Sequence, residues 1–261
     1  MRAKLATLVL AGTGEARQVI DRLAHDPAFD LTASLAGATQ APASLAVPVH
    51  SGGFGGADGL ARFCRSNDIK LILDVTHPFA RVISRNAAIA ASISDIPCLH
   101  YERPAWQPGP DDHWQSFDSW QEMAGALASG ARVFLAGGTQ SIEVFQKRLD
   151  IKLWARALNV SGRTAQPNVT FINAMPQTSI SAEAAYFGAH KIDLICCKNS
   201  GGDASFAKIA AARQLGLPVW MLARHAPEKT VSKTKIYDKV ETLIAAAQNL
   251  AQNLAQINHG A

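Results

Sequence analysis

The sequence predicts an α/β protein of two doubly wound, parallel-sheet units that flank a cleft. Three observations carry this. Short apolar, β-rich runs alternate with longer segments of helical periodicity, as in βαβ units. Glycine turns follow such runs at Gly12-Thr13-Gly14 and again at Gly137-Gly138-Thr139, so the same grammar starts twice. Between them, Arg103 to His113 carries Pro104, Pro108, Gly109 and Pro110, a composition that suits an extended connector. The domain boundary is placed there, with a dinucleotide-binding unit over 1–102 and a substrate-binding unit over 103–261.

In the first half, Leu5–Leu10 is the opening strand. Arg2 and Lys4 precede it, but the run is too short for a secretion leader and continues into Glu15 and Arg17. A helix from about Glu15 to Ala24 and a strand over Leu31–Leu35 follow. The glycine loop Gly52-Gly53-Phe54-Gly55-Gly56 leads into a helix from Asp58 to Ser66. Strand Lys70–Val75, helix Arg81–Ser92 and strand Cys98–Tyr101 close this half. The second half runs through helix Trp120–Leu127, strand Arg132–Ala136, a helical segment at Glu143–Lys147, and strands Lys152–Arg156, Thr170–Asn173, Leu194–Cys197 and Val219–Leu222, with helix Ser205–Leu215 between the last two. From Lys239 onward, Val240, Leu243, Ile244, Ala247, Leu250, Leu254 and Ile257 fall at helical three and four spacing, an amphipathic terminal helix.

Composition narrows the function. Of 261 residues, 48% are hydrophobic and 18% charged, which excludes a disordered tail or fibre. The net charge of +4 is too small for a nucleic-acid-binding stripe. Pro42 and Pro48 break the long uncharged stretch from Leu31 to Ala57, so no membrane span is expected. Four cysteines without CxxC read as reduced packing residues of a cytoplasmic protein, and eight histidines without HxH or HExxH predict no metal. Between Lys191 and Lys235 eight basic residues face three acidic ones, a surplus that would attract an anionic small molecule.

Gly12-Thr13-Gly14-Glu15-Ala16-Arg17 lies where a strand turns into a helix, so backbone N–H groups and the positive helix end can meet a phosphate. Arg17 stands where the third glycine of GxGxxG would be, which leaves an ordinary tight turn as the alternative. No acidic residue closes the second strand to hold a ribose 2′-hydroxyl. Ser34 and Thr39 offer hydroxyls instead, and with Arg17 they favour NADP over NAD. Asp74-Val75-Thr76-His77-Pro78-Phe79-Ala80 follows a strand at its carboxyl end, where ligands of open α/β sheets bind. His77 there is a proton donor or carboxylate ligand, or else a residue that shapes the loop. Lys198-Asn199-Ser200-Gly201-Gly202-Asp203, with Lys208 and Arg213 beyond, reads as anion capture or as a glycine turn with solvated charges.

Together these motifs resemble the precorrin-6A reductase family of cobalamin biosynthesis. The resemblance rests on Gly12 to Arg17, on Asp74 to Ala80, on Tyr101, Arg103, Pro104 and Trp106, and on a late run of Lys198, Ser200, Gly201, Lys208, Ile209, Ala211, Ala212, Arg213, Leu215, Gly216, Pro218 and Val219. Two departures stand out: Gly-Thr-Gly replaces the family's more frequent Gly-Gly-Thr, and Asp203 stands where a further glycine is common. The resemblance implies NADPH-dependent reduction of a double bond in a polycarboxylated tetrapyrrole, giving precorrin-6B, on two Rossmann-like units. It places the cofactor on Gly12, Thr13, Gly14, Glu15, Ala16, Arg17, Ser34 and Thr39. The substrate falls to Asp74, Thr76, His77, Pro78, Phe79, Tyr101, Arg103, Lys198, Ser200, Gly201, Gly202, Lys208 and Arg213, with His77 and Lys198 as catalytic candidates. A monomer is expected, making at most transient contact with neighbouring pathway enzymes. Cobalt-precorrin-6A reduction and a non-enzymatic NADP-sensing module are the alternatives. A short-chain dehydrogenase is excluded, because Tyr101, Tyr186 and Tyr237 have Ala105, His190 and Glu241 four residues on, not lysine.

Overall fold

The computed structural model describes residues 4–36, 44–158, 166–224 and 234–257. Contacts divide the chain into two units, one running up to Arg103 and taking back the segment from Thr234, the other running from Pro104.

The first unit holds β1 (Leu5–Leu10), α1 (Gly14–Leu23), β2 (Phe29–Leu35), β3 (Val49–Ser51), α2 (Gly56–Ser66), β4 (Leu71–Asp74), α3 (Arg81–Ser94) and β5 (Cys98–Tyr101). The second holds β6 (Trp114–Phe117), α4 (Trp120–Gly125), β7 (Arg132–Ala136), α5 (Thr139–Phe145), β8 (Lys152–Arg156), β9 (Val169–Ile172), α6 (Ile180–Ala189), β10 (Leu194–Lys198), α7 (Ala207–Leu215) and β11 (Val219–Leu222). Last come β12 (Thr234–Tyr237) and α8 (Val240–Ile257), which return to the first unit.

Each unit is a six-stranded parallel sheet with helices packed on it. The first sheet has the order β3-β2-β1-β4-β5-β12, the second β9-β8-β7-β10-β11-β6. Laid side by side, the two orders are the same doubly wound arrangement, and each sheet's last position is filled from elsewhere in the chain. β6, made right after the first five strands, pairs with β11 through Val219↔Trp114. β12, made right after β11, pairs with β5 through Tyr237↔Tyr101. The strand-and-helix unit that follows each set of five strands therefore completes the other sheet.

This corrects the assignment of 103–261 to a single second domain. The physical reason is the exposed apolar flank of α1: its Ala16, Val19, Ile20 and Leu23 need a cover, and α8 supplies it with Val240, Leu243, Ile244 and Ala247 in one continuous core. Burying a Leu or Ile side chain there contributes roughly 1.5–3 kcal/mol. α2 and α3 pack the opposite face, with Leu60, Cys64, Ala87 and Ala91 against Leu8, Ile72 and Cys98. All four cysteines are free thiols buried in these cores and their counterparts in the second unit. No helix among the described residues is long and apolar enough to cross a membrane.

Candidate active site

The switch point of the first sheet lies between β1 and β4, where the chain leaves the central strand in opposite directions. Open α/β sheets bind ligands outside the carboxyl ends at that position. A cavity of about 830 Å³ opens there, walled by the turns after β1, β2, β3 and β4 and the start of α3.

The turn after β1 is built for a close approach. Gly12 has φ +119, a conformation that side chains rarely adopt, and among the described residues, its own atoms and those of its two chain neighbours aside, no heavy atom lies within 4 Å of where its Cβ would be. Thr13 is the N-cap of α1: its Oγ1 accepts from Ala16 N at 3.0 Å and donates to the Val75 carbonyl at 2.8 Å, stitching this turn to the end of β4. Gly14 opens the helix. Ala16 is a correction to the cofactor set, since its side chain is sealed in the core and its amide is taken by the cap. Glu15, in the helix's first turn, forms a 2.8 Å ion pair with Arg103. Arg17 donates to the Ser44 carbonyl at 3.0 Å, which brings it to the connection that leaves β2. Ser34, Leu35 and Ala36 line the cavity at the end of β2 with no carboxylate among them. Thr39 lies outside the described residues.

The β4 side brings Thr76, His77 and Phe79 to the cavity, with Pro78 in the same turn. His77 Nδ1 accepts from the Phe79 amide at 3.2 Å, so a neutral ring carries its proton on Nε2. Asp74 is a second correction: its carboxylate is buried and bonded to Thr76 and His100, so it does not face a ligand. Burial opposes its ionisation, yet hydrogen bonds from His100, Ser84 and Thr76 hold it below the usual carboxylate range. Tyr101, also assigned to substrate, packs in the core against α8, and burial pushes its phenol up.

In the second unit the three expected cations separate. Lys198 ends β10 beside the Gly137-Gly138 turn: its Nζ is 3.8 Å from where a Gly138 Cβ would sit, and burial lowers the pKa of its ammonium. Lys208 is buried instead, donating to the Ser205 carbonyl and lying 4.9 Å from the Trp106 ring centroid. Arg213 grips Asp112 with two hydrogen bonds of 3.0 and 2.8 Å. Gly201 and Gly202 serve packing. A Cβ on Gly201 would stand 2.1 Å from the Pro104 carbonyl oxygen, and the Gly202 carbonyl accepts from Trp106 Nε1 at 2.9 Å. Ser200, between them and Lys198, bonds locally through its amide to the Lys198 carbonyl at 2.8 Å. Asp203, the family departure, accepts from the Phe206 amide in the turn before α7.

Sequence reasoning missed two contributors. The loop from Gly52 to Gly56 and Arg81 at the start of α3 both line the cavity. Four glycines at a strand-to-helix junction were a readable signal; Arg81, one of two arginines on α3 with no motif around it, was not. Among the described residues no group of three or more His, Cys, Asp or Glu could hold a metal ion.

The family model described as Precorrin-6x reductase CbiJ/CobK matches residues 6–248. The chain belongs to this family. A precorrin-6A reductase of Sinorhizobium sp is 42% identical over 222 residues, 84% of this chain and 85% of its own length. One from Rhodococcus erythropolis is 39% identical over 218 residues, 83% of this chain and 88% of its own. A solved structure described as CobK precorrin-6A reductase superposes with a TM-score of 0.85 at 30% identity, covering 94% of this chain and 96% of its own. The chain is thus a reductase of cobalamin biosynthesis, an oxidoreductase acting on a CH–CH group with a reduced nicotinamide cofactor.

Proposed function

We propose that this reductase reduces precorrin-6A to precorrin-6B with NADPH, which binds in the cavity of the first unit. The observation that carries the reading is the open cradle at Gly12, beside the amino end of α1 and at the sheet's switch point. The fit to a dinucleotide is direct: a Cβ-free face toward the cavity and a helix amino end suit a pyrophosphate. At the end of β2 the hydroxyl of Ser34 replaces the acidic ribose ligand, and Arg17 supplies a cation for a 2′-phosphate.

Bound NADPH supplies the hydride for one macrocycle carbon, and a proton on the neighbouring carbon completes a gain of two hydrogens. The chain's own residues hold and orient. Thr76, His77 and Phe79 wall the cavity, and His77 Nε2–H is a proton source on that wall. Lys198 is the second unit's cation for a substrate carboxylate, its ammonium less hydrated than a surface lysine's. Most of the acceleration comes from holding the reactants face to face.

The test is a mass-spectrometric assay of purified protein with NADPH and precorrin-6A. The reading requires a product heavier by two hydrogens and stoichiometric loss of NADPH. Binding of NADPH without turnover would favour the sensing module instead.

A further inference from the structure

Asp74 closes β4 with a carboxylate that nothing in the proposed chemistry uses. Its Oδ1 accepts from Thr76 N at 3.2 Å and from Thr76 Oγ1 at 2.7 Å. Its Oδ2 is 2.8 Å from Nδ1 of His100, the residue opposite it on β5. Thr76 Oγ1 is in turn 3.2 Å from Ser84 Oγ on α3. Asp74 is sealed from solvent, but Thr76 lines the cavity and His77 follows it.

We infer that Asp74 and His100 form a positioning pair that sets the β4-side wall of the cavity and hence its grip on the cofactor. The two carboxylate oxygens have separate jobs: one is held by β5, the other turns the backbone at Thr76 into the cavity. The sheet does not need this pair for cohesion, because β4 is already joined to β1 and β5 by backbone ladders. Without a donor at position 100, Asp74 keeps its Thr76 bonds on Oδ1 but Oδ2 loses the His100 donor inside the fold, which favours protonation of the carboxylate. Once Oδ2 carries a proton, Oδ1 is a neutral and weaker acceptor for the two Thr76 donors, so the turn they hold loosens and shifts. The shift reaches the other wall through the Thr13 bond to the Val75 carbonyl.

The inference rests on reading the cavity as the cofactor site, and the test separates the two. An asparagine at position 100 places its amide nitrogen where His100 Nδ1 lies. Phenylalanine has no donor, and glutamine places its amide where Nε2 lies, beyond Asp74. NADPH affinity by fluorescence titration, KM and kcat with precorrin-6A, and Tm are measured for His100→Asn, His100→Phe and His100→Gln. His100→Phe and His100→Gln are expected to raise the Kd and KM for NADPH about tenfold, with kcat at saturating NADPH within about twofold. His100→Asn should stay within about threefold of the parent. Glutamine keeps the comparison alive if the phenylalanine variant does not fold. A parent that binds NADPH while Phe and Gln variants bind it as tightly as the Asn variant overturns the inference, whatever happens to Tm. A parent that binds no NADPH overturns the cofactor reading, and the inference with it.

Discussion

Arg103 Nη1 lies 2.8 Å from Glu15 Oε1, so the residue that ends the first five strands neutralises the first turn of α1. Both side chains are largely buried, at 10% and 19% exposure, which makes the pair more than a surface contact. An unpaired carboxylate at that place would repel a phosphate bound at the Gly12 turn. Arg103→Ala should therefore weaken NADPH about tenfold, and adding Glu15→Gln should recover most of the loss. Calorimetry on the two single variants and the double variant measures the coupling. Additive losses would mean that Arg103 acts on the cofactor by some other route.

Arg17 reaches the β2–β3 connection, where its Nη1 donates to the Ser44 carbonyl, and its guanidinium is the cation we assign to a 2′-phosphate. Arg17→Ala should cost NADPH roughly 1.5–3 kcal/mol of binding and leave NADH nearly unchanged. Parallel titrations with the two cofactors check it, and equal losses would remove Arg17 from the specificity determinants.

Lys198 and Lys208 should separate in experiment as they do in the fold. Lys198→Ala is expected to raise KM for precorrin-6A in a salt-sensitive manner, with Tm little changed. Lys208→Ala removes a buried cation from beneath Trp106 and from the Ser205 carbonyl, and should lower Tm. Thermal melts alongside steady-state kinetics at two ionic strengths distinguish the two roles.

His77→Ala should slow turnover by about 10- to 100-fold, at the low end of what general acid catalysis contributes, because water can replace a weak proton donor. Single-turnover rates at saturating NADPH measure this. Complete loss with NADPH binding intact would make His77 an obligatory acid.

The Asp74–His100 pair gives stability a definite pH profile. Burial pulls the His100 pKa down, but the Asp74 hydrogen bond and charge, with Glu102 adding to them, leave it raised above its ordinary 6.5. A raised folded-state value stabilises the fold fully below 6.5, and this contribution fades as pH climbs through the raised value. Asp74, lowered from 3.8, contributes above that pH and loses its contribution as pH falls through the lowered value. The pair is thus strongest between roughly pH 4 and 6.5. Chemical denaturation of the parent and His100→Asn across pH 5 to 9 should show the parent's advantage shrinking on the alkaline side.

Much of the fold was legible because central strands are continuous apolar runs; Leu71–Asp74 and Leu194–Lys198 are nearly all buried and were visible as such. The strands that escaped, β3, β6 and β12, sit at sheet edges, are three or four residues long and are mostly exposed or half-buried, so they carry no apolar run. α6 escaped because apolar residues of Ile180–Ala189 fall on every side and leave no stripe. Gly12, Ser34 and His77 could be placed at the site because strand ends point to it. The fates of Asp74, Lys208 and Arg213 could not: their partners, His100, Trp106 and Asp112, are remote in sequence and have no motif linking them.

The late return of β12 and α8 has a consequence for how the protein is made. A domain at the start of a chain ordinarily folds while the ribosome is still reading the rest. Here the second sheet takes all six of its strands from the middle of the chain, whereas the first must wait for its last. Roughly 130 residues separate Arg103 from Thr234, which at about 5–20 residues per second is a delay on the order of 10 s. Through that interval the apolar flank of α1 and the open edge of β5 are without their cover, in a nascent chain whose later-made half can already be folded. Slowing or chaperone capture of the unfinished polypeptide should therefore act on its amino-terminal half.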